Sequence, residues 1–355
     1  MISYDAPDSM SALDAKFEAQ KIAFAPIVFQ ATLALRDLGI LEAVRKAKDA
    51  GITAEALAEK VGVSLYGVNV LLEVAMSSGI VRCVEGQFIL TKTGYFLVRD
   101  DLTRVNMDFV NDVCYQAMFN LKDSIVEQKP SGLKVFSDAD TIYEILATLP
   151  EKAKKSWFDF DHFYSDISFP EVLPLVFASK PKKIMDIGGN TGKWATQCLQ
   201  YDEDVEVTIV DLPGQLNKAK ENLEAAGLTH RMHFHEANML DEKNQLPKGA
   251  DIIWMSQFLD CFSLDEIVSI LKRAKAAMTE DSRIYIMELL WDRQKYEAAA
   301  YSLHNISLYF TCLANGNSKM YHSAELLLCI ERAGLTVEKQ IDNIGISHSL
   351  ITCRL

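Results

Sequence analysis

The 355-residue chain lacks any run approaching the ~18 uninterrupted apolar residues of a membrane-spanning helix. Its first ten residues, Met1–Met10, are polar and acidic, with neither the basic nor the apolar segment of a secretory leader, so no targeting segment and no membrane partner is expected. Positive charge is scarce: 36 Lys and Arg stand against 49 Asp and Glu, a net charge of -13. Nucleic-acid binding needs a basic footprint that displaces counterions, so this balance argues against DNA or RNA as the main partner. Cysteine pairs at metal or redox spacing are also missing. The seven cysteines, scattered from Cys83 to Cys353, form no C-x-x-C, and the histidines form no H-E-x-x-H. No metal site is expected, and reduced thiols in a cytoplasm are. What is present is a hydrophobic fraction of 49%, enough for a full core, and a length that suits two domains.

The first third reads as helical, then briefly β. Apolar residues recur at helical spacing over Ala15–Lys46. Thr53 can cap a short helix ending before Gly62, and Ser64 opens another that runs to about Ser78. Two β-like runs follow, Ile80–Val84 and Gln87–Leu90, split by the turn dipeptide Glu85-Gly86. Helices followed by a hairpin predict a winged helix. Its recognition-helix position, Ser64–Ser78, holds no Lys or Arg, so a winged helix that does not bind DNA is expected. Residues 101–177 read as a helical linker rich in aromatics, part core and part roof of an apolar pocket.

From residue 178 strands and helices alternate. The strand candidates are Ile184–Ile187, Val205–Val210, Met232–His235, Asp251–Met255, Arg283–Met287, Leu335–Gln340 and Ser347–Cys353. Ser263-Leu-Asp-Glu266 is a capping box for one intervening helix. The pattern predicts an α/β, Rossmann-like domain with a seven-stranded, mostly parallel sheet, whose ligands bind beyond the carboxyl ends of the strands. The expected division is 1–100, 101–177 and 178–355.

The first of these strands runs into Asp186-Ile-Gly188-Gly189-Asn190-Thr-Gly192. The glycines allow a tight turn and close approach of a ligand to a helix start. A dinucleotide fingerprint starting at Gly188 would need glycine where Asn190 and Lys193 stand. Asp186 before the loop would repel a phosphate and suits a ligand with an ammonium group, such as the methionine part of S-adenosylmethionine. Asp211, ending the second strand in Val210-Asp-Leu212-Pro213, lies about where an acidic residue takes ribose hydroxyls. NAD(P) is the competing cofactor.

With this loop, the Val-Asp-Leu-Pro run, Gly132–Phe136 and the late Asn315-Gly-Asn-Ser-Lys-Met320, the chain resembles, over nearly its full length, the plant-type and bacterial small-molecule O-methyltransferases. These include caffeic acid and hydroxyindole enzymes. The resemblance implies S-adenosylmethionine as cofactor, S-adenosylhomocysteine as product and a homodimer formed through the N-terminal domain. It assigns the cofactor to Asp186, Gly188, Gly189, Gly192, Asp211, Leu212, Asn238, Met239, Ser256 and Phe262. Asn238 replaces an aspartate that contacts adenine in the family, and Ser256 replaces a lysine.

The family's general base is a histidine, and Asp260 stands in its place, in Leu259-Asp-Cys-Phe-Ser263. Glu288 matches an acidic residue that supports that histidine. Two carboxylates close together raise the pKa of one of them, which would make Asp260 a better base. His304 and His162 are alternative bases. Phe158, Phe163, Met287, Trp291, Tyr301, Tyr309 and Phe310 are candidates for an acceptor pocket. The function implied is methyl transfer to a hydroxyl of a small aromatic or apolar metabolite. The alternatives are a relative with hydroxylase- or decarboxylase-like chemistry, or a non-catalytic ligand-binding dimer.

Overall fold

The computed structural model of the chain describes residues 4–355, in two compact units: residues 5–108, and residues 109–355 with residue 4. The units divide between residues 108 and 109, and residues 109–177 belong to the same unit as the sheet.

In the first unit, α1 (Ala12–Asp37) is followed by α2 (Ile40–Ala47), α3 (Ala54–Val61), α4 (Leu65–Ser77), the strands β1 (Val81–Val84) and β2 (Gln87–Leu90), α5 (Lys92–Arg99) and α6 (Asp101–Phe109). The single helical stretch expected over 15–46 is two helices, because Gly39 adopts φ +76 and the chain bends by 66° there. Thr53 and Ser64 cap α3 and α4 through the N–H groups of Ala56 and Gly67. The β1–β2 turn has positive φ at both Glu85 and Gly86, the hand that matches strand twist in a two-residue hairpin. Leu41, Val44, Leu57, Val68, Leu72 and Ile80 form the core of this unit. Helix α1 keeps Leu13, Phe17, Ile22, Phe24 and Ile27 exposed. Among the described residues no single helix is long and apolar enough to cross a membrane.

The second unit begins with α7 (Leu121–Glu127), α8 (Glu151–Asp166) and α9 (Phe169–Val176). Then β3 (Lys183–Ile187), α10 (Lys193–Tyr201), β4 (Glu206–Asp211), α11 (Pro213–Ala225), β5 (Met232–Glu236), β6 (Ile252–Ser256), α12 (Leu264–Ala277) and β7 (Arg283–Glu288) follow. The chain closes with α13 (Glu297–Tyr309), α14 (Ser323–Arg332), β8 (Thr336–Ile344) and β9 (His348–Arg354). The seven strands are ordered β5-β4-β3-β6-β7-β9-β8. The first five are parallel; β9 runs antiparallel to β7 and to β8.

Residue parity along each strand decides the layer it faces. Met185, Ile187, Ile284 and Ile286 pack under α12 and α14. Ile184, Ile209, Trp254 and Met287 pack against α9, α10 and α11, with Trp194 stacked on Trp254 at 4.1 Å between centroids. The order reverses between β3 and β6, so the loops after β3, β4 and β6 converge at one edge, where such sheets bind ligands.

Candidate active site

The loop after β3 turns on left-handed residues: Gly188 at φ +76, Asn190 at +47 and Gly192 at +78. A Cβ at Gly188 would lie 2.2 Å from the Phe258 ring, and one at Gly189 would lie 2.6 Å from Asp186 Oδ2. Gly192 packs toward Ala219 and Leu223 of α11 instead of opening on a ligand. The N–H groups of Asn190 and Leu212 donate to the two carboxylate oxygens of Asp211, at 2.8 and 2.7 Å. This ties the loop to the end of β4.

Asp186 lies beneath the loop, 2% exposed, and its Oδ2 has no hydrogen-bond partner among the described residues. Burial, and then the charge of Asp211, push it up to about 8. Burial likewise pushes Asp211 up to about 6, against the two N–H groups that favour its charge.

Over this edge lies a cavity of about 230 Å³. Gly188, Asp211, Leu212, Asn238, Met239 and Phe262 line one part of it; Asp260, Tyr309 and Phe310 line another. The Asn238 Oδ1 accepts from the N–H of Leu240 at 2.9 Å, so one acceptor site of that oxygen is used within its own turn. Ser256 is not in the lining; its hydroxyl is buried without a hydrogen-bond partner among the described residues.

Asp260 sits in the turn after β6, 6% exposed. The Cys261 thiol donates to its Oδ1 at 3.4 Å, a weak hydrogen bond. Burial pushes Asp260 up to about 6. Glu288 Oε1 accepts from the N–H groups of Phe258 and Leu259 at 3.0 and 2.8 Å, while its Oε2 has no hydrogen-bond partner among the described residues. Burial, reinforced by Asp260, holds Glu288 well above the ordinary carboxylate range. Glu288 is therefore a buttress beneath the turn, and Asp260 is the carboxyl that reaches the cavity. Asn315 braces the same turn, donating from Nδ2 to the Cys261 carbonyl at 2.5 Å. Gly316 beside it could carry no side chain, since a Cβ would meet the Lys129 backbone at 2.7 Å.

The structure leaves several candidates outside the cavity. Met287 points to the opposite layer, as its parity on β7 dictates. Phe158 and His162 stack on each other at 5.8 Å and face an adjoining groove, and Phe163 sits off the cavity face of α8. Trp291 and His304 pack together at 4.7 Å, with Tyr4 beside them, and Tyr301 is 69% exposed. On α8 the face that does line the cavity carries Trp157, Phe160 and Asp161, at helical spacing i, i+3 and i+4. Asp161 is the main residue missed by sequence reasoning. Two carboxylates within an aromatic stripe, Asp159 and Asp161, were the available signal, and helical spacing from Trp157 puts Asp161 on its face. Asn190 of the glycine loop donates from Nδ2 to Asp161 at 3.3 Å. Burial pushes Asp161 up to about 6; His162 opposes the rise, and Asp260 and Asp166 add to it. Trp157 donates from Nε1 to the Tyr309 hydroxyl at 2.7 Å, and Phe160 stacks on Phe109 at 4.1 Å.

A family model for an O-methyltransferase domain matches residues 102–335, and one for a dimerisation2-like domain matches residues 16–88. An L-tyrosine C(3)-methyltransferase of Streptomyces lavendulae is 21% identical over 321 residues, covering 89% of this chain and 86% of that one. A 3-hydroxy-5-methyl-1-naphthoate 3-O-methyltransferase of Streptomyces sahachiroi is 25% identical over 267 residues, 75% of each chain. The apo structure of the S-adenosylmethionine-dependent methyltransferase SibL superposes with a TM-score of 0.71 at 22% identity, covering 94% of this chain and 97% of that one. Human N-acetylserotonin methyltransferase, in complex with S-adenosylmethionine, gives 0.66 at 18% identity, covering 98% of this chain and 99% of that one.

Proposed function

The chain belongs to the O-methyltransferase family, and from that premise we propose that it transfers a methyl group from S-adenosylmethionine to a hydroxyl of a small aromatic molecule, with Asp260 as the general base. The observation that carries this reading is the cavity itself: Glu144, Asp161, Asp211 and Asp260 line it, and among the described residues no Lys, Arg or His does. A pyrophosphate would be repelled there, whereas a sulfonium and an ammonium are attracted. The residues present fit the donor. Gly188 lines the cavity with backbone alone, the Phe258 ring filling the place of a side chain, Asp211 is set for the ribose, and Asn238, Met239 and Phe262 line the region for the adenine. Bound there, adenosylmethionine supplies a methyl group already activated by the positive sulfur.

The protein's own part is positioning and proton removal. Trp157, Tyr309 and Phe310 form an aromatic wall that can hold a flat acceptor, and holding the reacting atoms in line supplies much of the rate. The acceptor hydroxyl yields its proton to the Asp260 carboxylate as its oxygen takes the methyl group. A carboxylate raised toward neutrality is better matched to that task than an ordinary aspartate. The homodimer reading rests on the dimerisation2-like match over residues 16–88 and on the exposed apolar residues of α1. A cytoplasmic location fits the seven free thiols.

Incubation of the full chain with labelled adenosylmethionine and a panel of phenols and catechols tests the activity. Label transferred to an acceptor oxygen is expected. Binding of adenosylhomocysteine with no transfer to any of them would contradict the O-transfer reading and favour altered chemistry.

A further inference from the structure

Neither the ribose contact nor the proton transfer uses Asp161. Its carboxylate lines the cavity from α8, as Asp260 does from the turn after β6, and the charge of Asp260 adds to the cost of ionising it. An ionised carboxylate withdrawn from water needs a cation or several donors. Asp211 has two backbone N–H groups. Asp161 has one side-chain amide at 3.3 Å, and Asp260 has a thiol.

Cations near Asp161 are few. His162 Nδ1 stands 4.0 Å away and is nearer to Asp166, at 3.8 Å; its ring is stacked on Phe158 at the adjoining groove. Lys193 pairs with Asp166 at 3.2 Å and does not line the cavity. The buried Tyr143 hydroxyl, which lines the cavity, faces the Cys261 thiol, and Glu288 Oε2, beneath Asp260, has no partner among the described residues. The wall around Asp161 is formed by Trp157, Phe160 and Tyr309, whose ring faces attract a cation.

Charge accounting then constrains the acceptor, provided the donor is adenosylmethionine as proposed above. That donor carries a sulfonium, an ammonium and a carboxylate, a net charge of one positive. Glu144, Asp161, Asp211 and Asp260 line the cavity and no described Lys, Arg or His does, so that single net positive charge leaves carboxylates, Asp161 among them, without a counter-charge. We propose that the acceptor brings the missing cation: an aromatic ring bearing a protonated amine, whose ammonium pairs with Asp161 while the group to be methylated faces Asp260. The same charges repel an acceptor whose only charge is a carboxylate. Among relatives, one is named for a tyrosine substrate, which bears an ammonium as well as a carboxylate, and another for a naphthoate; the lining of this cavity favours the ammonium alone.

Three probes of one shape separate the possibilities: tyramine, tyrosol and 4-hydroxyphenylacetate, which carry a cation, a neutral hydroxyl and an anion on the same phenol. Their binding is measured by calorimetry on the full chain saturated with adenosylhomocysteine. Tyramine is expected to bind about tenfold or more tighter than tyrosol, and hydroxyphenylacetate weakest. Asp161→Asn keeps the acceptor oxygen for Asn190 and is expected to bring tyramine down to the affinity of tyrosol. Equal or tighter binding of hydroxyphenylacetate overturns the proposal. So does failure of all three to bind at millimolar concentration. If Asp161→Asn weakens adenosylhomocysteine and leaves the tyramine-to-tyrosol ratio unchanged, Asp161 serves the donor's ammonium and the proposal is wrong. Failure of adenosylhomocysteine itself to bind the native chain is a separate outcome: it overturns the methyl-donor reading, and with it the charge accounting used here.

Discussion

At neutral pH Asp260 must lose its proton inside a cavity that opposes ionisation. Burial sets its midpoint at about 6, so kcat is expected to be level above that pH and to fall about tenfold per unit below it. Asp260→Asn should lower kcat by ~10²–10⁴-fold while leaving adenosylhomocysteine affinity within a few-fold, as read by steady-state kinetics and calorimetry. Gly188 is constrained in another way. Gly188→Ala meets both a left-handed backbone and the Phe258 ring, so loss of donor binding and about 1–3 kcal/mol of stability is expected in calorimetry and thermal melts. At this scale the glycine loop, Asp211 and Asp260 were legible, because each is a residue type at a fixed place after a strand. The aromatic wall was not. Phe158 and Phe163 are as aromatic as Trp157 and Phe160, and only the rotation of α8 against its neighbours chooses between the two faces.

Elements hold the site through loops and not through the sheet alone. Glu288, at the end of β7, fixes the turn after β6 by two backbone hydrogen bonds. Asn315 fixes it from beyond a single π-helical turn, residues 310–314, that ends α13 and turns Phe310 into the cavity. Asn315→Ala is expected to destabilise the fold by about 1 kcal/mol and to lower kcat more than donor affinity, measured by urea unfolding and kinetics. Strand and helix placement was legible from period alone, since parity and helical spacing are local properties. The bend at Gly39 and the π-turn were not, because each depends on what the helix meets after it forms. His348 was not legible either. It is fully buried, its Nδ1 is 2.8 Å from the Ser168 hydroxyl, and its Nε2 is 3.2 Å from the side chain of Gln257, whose backbone is left-handed at the cavity edge.

For the whole molecule, several carboxylates titrate late. Asp161, Asp186, Asp211, Asp260 and Glu288 are all raised in the folded state above their unfolded range near 4. The folded chain therefore holds more protons than the unfolded chain between about pH 4 and 8, and stability falls as pH rises through that window. His348, pushed down to about 3 by burial, works in the other direction below about 6.5, and Glu42, Asp112 and Asp204, lowered by their Arg or Lys partners, do so below about 4.5, so above pH 5 the five raised carboxylates set the slope. The ligand-free Tm is expected to fall from pH 5 to pH 8, and Asp186→Asn should flatten the upper part of that curve. The exposed α1 residues give a second test at this scale. Phe17→Asp with Ile22→Asp is expected to shift the chain from dimer to monomer in sedimentation without unfolding it.

The most direct test of the central claim is a calorimetric titration of the purified chain with adenosylhomocysteine and, separately, with NADH. A one-to-one isotherm with adenosylhomocysteine that weakens in Asp211→Ala, and no heat with NADH, is expected. Binding of NADH with silence from adenosylhomocysteine would contradict it.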